Sequence, residues 1–358
     1  MQLSEAPPRD WDARAVPPTL SRGFAMAAAA AGHRTIYVDG GIANALVLVR
    51  TLPVPIMRAW TARAMVYVSR GDADFMRALM QALAARRIVH ACVADPIAGL
   101  PRQTIERAGI MPVVAYRLGH SMAETERQLF QRLSPRRRRA LRRARHAGIV
   151  VSEIRSPAEL RDYCAMAGHT DGGGAGMPAA SFAAIFGAMV PRGQAVVFLA
   201  RRGDQPLAGA IFLTSPDRMT FFHAVSTSDS ERAVSVWDPD LVELPGSTAV
   251  LWHAMKAARA RGVPRLDLGT VSAVEDRRHP HFSIDHFRRS FGGTLEPLHH
   301  GEVTLSRLKH AFQERLMRRS AWKRAHDIVV LPFDPRTIIG PTTAGSGTDA
   351  RRPAARSA

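Results

Sequence analysis

Cysteine is nearly missing from this chain: Cys92 and Cys164 are its only two, and they stand in different predicted elements. Two separated thiols exclude a disulfide framework, and spacing alone argues against a thiolate metal site; both are expected as small buried side chains. No apolar run approaches the ~18 residues needed to cross a bilayer. The small-residue run FAMAAAAAG (24–32) is short and follows a Pro-rich segment with Glu5, Asp10 and Asp12, so it reads as a helix of the first domain and not as a secretion signal. Acidic residues are also scarce, 31 against 49 lysines and arginines, for a net charge of +18. Such a field attracts phosphate-rich partners or an anionic membrane, although arginine- and alanine-rich usage also follows from a GC-rich genome.

The common catalytic signatures are absent as well. There is no G-x-S-x-G elbow, Walker loop, H-E-x-x-H helix or C-x-x-C pair. His279, His281 and His286 and the pair His299-His300 lack ligand spacing, so no metal is expected. The run DGGGAG (171–176) lacks the strand before it and the Lys-Ser/Thr after it, and reads as a loop over a cleft.

What is present is a repeated order of elements. In AVLWHAMKAARARGVPRLDLGT (249–270), Leu251, Ala254, Met255 and Ala258 follow helical spacing, Gly262 stops the helix, and a strand ends near Asp267. An earlier segment, FMRALMQALAARRIVHACVA (75–94), aligns with it at an offset of 175 residues, Met80 on Met255 and IVHACVA on VPRLDLG. Each copy follows strand-like runs: ANALVLVR, VPIMRAW and AMVYVSRG in the first, AVVFLARR, LAGAIFLTS and RMTFFHAVS in the second. Meander, helix, strand, twice over, predicts an α/β (α+β) duplication of two units, each a mixed sheet flanked by helices. The length fits two domains.

The expected division is a mobile segment over 1–20, a first unit over 21–122, a long basic connecting helix over 123–148, a second unit over 149–335 and a disordered tail over 336–358. Within the connecting helix, Ser134 and Pro135 suit the N-cap and first helical position, and Gly148 ends it. Arg136 to Arg139, Arg142, Arg143 and Arg145 crowd this helix, as a solvated interdomain face or as a wall for phosphates. The segment SRLKHAFQERLMRRSAWKRAHD reads as an amphipathic basic helix that packs on the body, with membrane-surface contact as a secondary role.

A polar set accompanies the second unit. His223 lies in MTFFHAVS, expected on the face opposite Phe222; Asp267 ends the neighbouring strand; Arg288-Arg289 precede Phe291-Gly292-Gly293. An acid, an imidazole and a guanidinium converging there can orient an amine and stabilise an oxyanion, or they are a buried histidine and a loop cap.

The blocks R-R-x-L-R-R-A-R-x-x-G-I-x-V (138–151), PLAGAIFL, FFHAVS, LWHAMKAARARG, LDLG and HFRRSFGG, in this order, resemble Fem-type aminoacyltransferases and FemAB-related acetyltransferase-like proteins, a branch of the GNAT superfamily, over about residues 35–300. The resemblance implies two tandem GNAT-like units and transfer of an acyl or aminoacyl group, from acyl-CoA or aminoacyl-tRNA, to an amine or hydroxyl of a cell-envelope precursor or polysaccharide. No cofactor is expected to stay bound. The family's strand-end aspartate falls on Asp267 and its F-K-x-x-F-G lysine on Arg288, which can hold phosphate or an oxyanion but cannot shuttle protons near neutral pH. His223 is a third catalytic candidate; Arg289, Phe287, Trp252, Arg138 and Arg142 are candidates for substrate binding. The resemblance further implies a polyanionic donor that includes tRNA, no DNA, and a cytoplasmic protein with peripheral contact at the inner membrane face. STSDSERAVSVWDPD has no glycine where acetyl-CoA enzymes carry a pyrophosphate loop. That gap keeps open the alternative of a non-catalytic binder of an anionic polymer or membrane in an envelope or exopolysaccharide pathway.

Overall fold

The computed structural model describes residues 1–14, 17–54, 59–95, 97–169, 177–227, 245–271 and 282–306. The first half runs β1 (Gln2–Ser4), α1 (Trp11–Arg14), α2 (Arg22–Ala30), β2 (Arg34–Gly40), β3 (Ala43–Val54), β4 (Ala59–Ser69), α3 (Ala73–Ala85), β5 (Ile88–Ala94), α4 (Arg102–Arg107) and β6 (Met111–Ser121). Next come α5 (Glu126–Arg132), α6 (Pro135–His146), β7 (Ile149–Glu153), α7 (Pro157–His169), α8 (Ala179–Ala184), β8 (Ala195–Arg202), β9 (Gln205–Thr214) and β10 (Arg218–Ser226). The chain then forms α9 (Pro245–Ala260), β11 (Arg265–Val271), α10 (Phe282–Arg289) and β12 (Thr294–Thr304).

All twelve strands join one mixed sheet, in the order β1-β2-β3-β4-β5-β12-β6-β11-β10-β9-β8-β7. The expected duplication is visible in it. β4 pairs β5 in parallel across the α3 crossover, and β10 pairs β11 in parallel across α9. Met80 of α3 and Met255 of α9 both point into a core against their own half of the sheet. At the centre the halves exchange strands. β6, from the first half, pairs β11; β12, the last strand described, pairs β5; and β6 and β12 pair each other over nine residues.

Alternation along the strands divides the apolar side chains between the two faces. On one face Val47, Val66 and Val93 bury α3 and α4, while Phe212, Met219, Leu266 and Leu268 bury α9 with Leu129, Leu133 and Phe291. On the other face a single core serves both halves: Phe24 and Ala27 of α2 pack with Tyr163, Phe182 and Ile185, over Leu46, Tyr67, Ile211 and Phe222.

One sequence expectation is corrected. The basic connector is not one long helix: α5 ends at Arg132 with Leu133 as its C-cap, and Ser134 caps α6, its hydroxyl accepting from the Arg137 N–H with Pro135 at the first helical position. Proline lacks the N–H to extend α5, so Ser134-Pro135 starts a new helix instead of punctuating an old one. The N-terminal residues also take part in the fold. β1 pairs β2, and Trp11 is buried against Tyr37 with its indole N–H donating to the Leu20 carbonyl at 2.5 Å. A large buried aromatic outweighs the Pro-rich composition around it. The amphipathic segment from residue 307 and the tail over 336–358 lie outside the described residues.

Candidate active site

β10 and β11 are hydrogen-bonded neighbours only at Arg218–Arg265, Met219–Leu266 and Thr220–Asp267. Beyond Thr220 and Asp267 they separate, although β10 continues to Ser226 and β11 to Val271. Both strands deviate at that point. β10 carries a bulge between Phe221 and His223, and the β11–β6 register shifts between Asp267 and Thr270. Gly269 supplies the bend in β11 with φ +88°, a conformation that disfavours any side chain. The equivalent pair in the first half stays joined from Ala62–Ile88 to Tyr67–Ala94. A V-shaped opening, where the two strands no longer pair with each other, therefore belongs to the second half.

Asp267 sits at the apex and is 2% exposed. Its Oδ1 accepts the Gly269 N–H at 2.8 Å, and its Oδ2 lies 3.8 Å from Arg218 Nη1 and 4.0 Å from Arg117 Nε. Both arginines share Glu296, at 3.7 and 3.0 Å, and Arg265 reaches the same carboxylate at 3.1 Å. Burial pushes the Asp267 carboxyl up, opposed by Arg117, the Gly269 N–H and Arg218. Three cations on two anions thus pin β6, β10, β11 and β12 together where the opening begins.

Arg288 crosses the opening from the other face. It donates to the Thr270 carbonyl of β11 at 2.7 Å while its guanidinium lies 5.0 Å from the centre of the Phe221 ring of β10. Burial lowers its pKa, and Asp285 and Asp267 counter that. Arg289 and Phe287 flank it on α10, half-buried.

His223 belongs to a different cluster. The bulge cancels the alternation, so His223 shares the face of Phe222 and not the opposite one: its ring packs on Phe182 at 5.0 Å, in the core that also holds Phe222. The Tyr163 hydroxyl, kept protonated by burial, is 2.8 Å from His223 Nδ1, and burial lowers the imidazole pKa to about 4. The expected convergence of imidazole, acid and guanidinium does not form. Asp267 and His223 share a sheet face, each with its own partners, and Arg288 comes from the opposite face.

The remaining candidates scatter. Trp252 packs edge-on against Phe130 at 5.7 Å, a contact between α9 and α5. Arg138 is half-buried and Arg142 exposed on α6, whereas the buried member of that run is Arg137. Its guanidinium bonds Ser290 Oγ at 2.7 Å and Thr248 Oγ1 at 3.0 Å, and lies 4.4 Å from the Phe287 ring centre, tying α6, α9 and α10. Burial, then Arg136, lower its pKa to about 10, which leaves it charged. Arg117, Arg218, Glu296 and Tyr163 were not expected from sequence, and Arg137 only as one of the crowded arginines. A charge inside the apolar run VVAYRLG is the one signal that pointed to Arg117. The glycine-free segment after Thr227, DGGGAG and most of the His-rich turn lie outside the described residues.

One twelve-stranded mixed sheet, with a parallel pair across a helix crossover in each half and the second pair opened, matches the fold of tandem-GNAT, FemX-like structures. Residues 134–282 match the family model of the acetyltransferase (GNAT) domain. Among solved structures it is similar to FemX, at 13% identity and TM-score 0.59, covering 88% of this chain and 99% of that one. L-PGS from Bacillus licheniformis aligns at 9% identity and TM-score 0.54, over 90% of this chain and 98% of that one. The C-terminal domain of a putative lysylphosphatidylglycerol synthetase from Agrobacterium fabrum aligns at 12% and 0.52, over 82% and 90%. These identities show a shared fold. Comparison with curated protein sequences gives no match.

Proposed function

We propose that the protein is an acyl- or aminoacyltransferase that delivers an activated acyl group to an amine or hydroxyl of a cell-envelope precursor or polysaccharide. The observation that carries this reading is the opening between β10 and β11, inside the GNAT-matched residues and spanned by Arg288. Two facing strand edges that no longer pair with each other suit an extended amide-bearing chain, such as the pantetheine arm of an acyl-CoA. Arg288 beside them steadies an oxyanion or a donor phosphate. The exposed arginines of α6, Arg139, Arg142 and Arg145, suit a polyanionic donor, and the likeness to FemX and L-PGS makes aminoacyl-tRNA the second candidate.

Asp267 acts in this scheme by position. Buried at the apex, it fixes the bend through Gly269 and does not touch the acceptor. Peripheral contact with the inner membrane face fits an envelope acceptor; among the described residues no helix is long and apolar enough to cross a membrane.

The test is transfer of a labelled acyl group from acetyl-CoA, longer acyl-CoAs or charged tRNA to amine acceptors, preceded by calorimetric donor binding at moderate salt. Arg288→Ala is expected to lower kcat by about 100-fold, the scale of losing one oxyanion donor. Folded Arg288→Ala and Asp267→Ala proteins with unchanged transfer would sink the assignment. Saturable, salt-sensitive polymer binding without turnover would favour the non-catalytic alternative, which the enclosed Asp267 also suits.

A further inference from the structure

The exchange of strands brings together three side chains that lie far apart in sequence. Cys92 on β5 stands directly opposite Glu302 on β12, and His300 projects from the same face of β12. Cys92 Sγ, an imidazole nitrogen of His300 and a carboxylate oxygen of Glu302 all lie within 4.8 Å of one another, and His90 Nε2 lies 4.0 Å from Glu302 Oε2. Cys92 and His300 are buried, while His90 and Glu302 keep narrow access to solvent.

Position in the duplication sharpens the comparison. At the 175-residue offset Cys92 stands where Asp267 stands in the other half. The pairings Cys92–Glu302 and Asp267–Gly119 make His300 the counterpart of Arg117. One half of the seam thus holds an arginine–carboxylate network, and the other holds thiol, imidazole and carboxylate at the matching place. Tyr67, fully buried and coupled electrostatically to Cys92, adds a hydroxyl with no hydrogen-bond partner among the described residues.

We propose that Cys92, His300 and Glu302, with His90 or a water in the fourth position, bind a zinc-like divalent cation that clamps β12 onto β5. Thiolate, imidazole and carboxylate are the donor types zinc takes. A thiolate and a carboxylate balance the cation's charge, which suits a mostly buried site. Tetrahedral zinc sets its donors about 3.3–3.8 Å apart, so the three must close by roughly 1 Å, within the reach of side-chain rotation on facing strands.

The full chain, purified without chelator or histidine tag, is analysed for metal by mass spectrometry, then stripped and titrated with Zn²⁺ and Co²⁺. Binding of about one equivalent is expected, with a thiolate-to-cobalt charge-transfer band. Cys92→Ser should abolish the band and weaken zinc binding by more than the roughly 100-fold that losing an outer-shell partner costs. Cys164→Ser should leave both unchanged. If Cys92→Ser does not fold, alkylation of the parent protein decides the matter: zinc should protect Cys92 and not Cys164. Absence of stoichiometric uptake, a band that survives Cys92→Ser, or alkylation of Cys92 indifferent to zinc would overturn the site.

Discussion

Acid should destabilise this protein well above the pH at which its carboxylates titrate, and His223 supplies a measurable share. In the unfolded chain its imidazole takes a proton near pH 6.5, whereas burial holds it to about 4 in the fold. A depressed folded-state pKa means the unfolded state binds more protons in between, so this contribution is present above 6.5 and lost as pH falls toward 4. Each pKa unit is worth about 1.4 kcal/mol, so the full difference is roughly 3 kcal/mol, of which about 2 kcal/mol disappears between pH 7 and pH 5. His223→Gln removes the titration and keeps an acceptor for the Tyr163 hydroxyl. The assay is urea unfolding of parent and variant at both pH values. The parent should lose about 2 kcal/mol more than the variant over that interval. Equal losses would refute the reasoning, because His223 would then titrate alike in both states.

Other substitutions probe the packing and the charge. A Cβ on Gly293, at φ +94°, would meet the Gly119 carbonyl oxygen at 2.7 Å, whereas Gly109, at φ +74°, has open space around it. Gly109→Ala should cost about 1–2 kcal/mol from backbone strain alone and Gly293→Ala clearly more, as read from urea midpoints. Arg137→Lys should cost about 2–3 kcal/mol, because an ammonium cannot span Ser290 and Thr248 while covering Phe287; a thermal scan checks it. If α6 grips a nucleic-acid donor, replacing Arg139, Arg142 and Arg145 by alanine should flatten the slope of log affinity for tRNA against log salt by about 2; an unchanged slope removes α6 from the donor surface.

Local features were legible in the sequence and long-range ones were not. The helix-then-strand repeat could be seen because Met80 and Met255 occupy equivalent turns of equivalent helices, and both are core residues. Ser134 and Pro135 announced a helix start because a cap is a property of adjacent residues. The side of the sheet taken by His223 was misread because a single bulge residue reverses an alternation that composition cannot reveal. Among the crowded arginines, sequence favoured Arg138 and Arg142, whereas the helix phase set by α9 buries Arg137. The juxtaposition of Cys92 and His300 was not legible, because it forms only across the exchanged strand and no linear pattern encodes that pairing.

The exchange of β6 and β12 also bears on how the chain is made. During synthesis β5 emerges with a free edge, and its eventual neighbour, β12, follows some two hundred residues later. Until then the first half holds a strand without its mate, a sticky template for other nascent chains. The ribosome therefore releases an unfinished sheet, and the first half cannot close before translation of the second is nearly complete. Cutting the gene between the halves should yield two insoluble fragments that regain solubility when co-expressed.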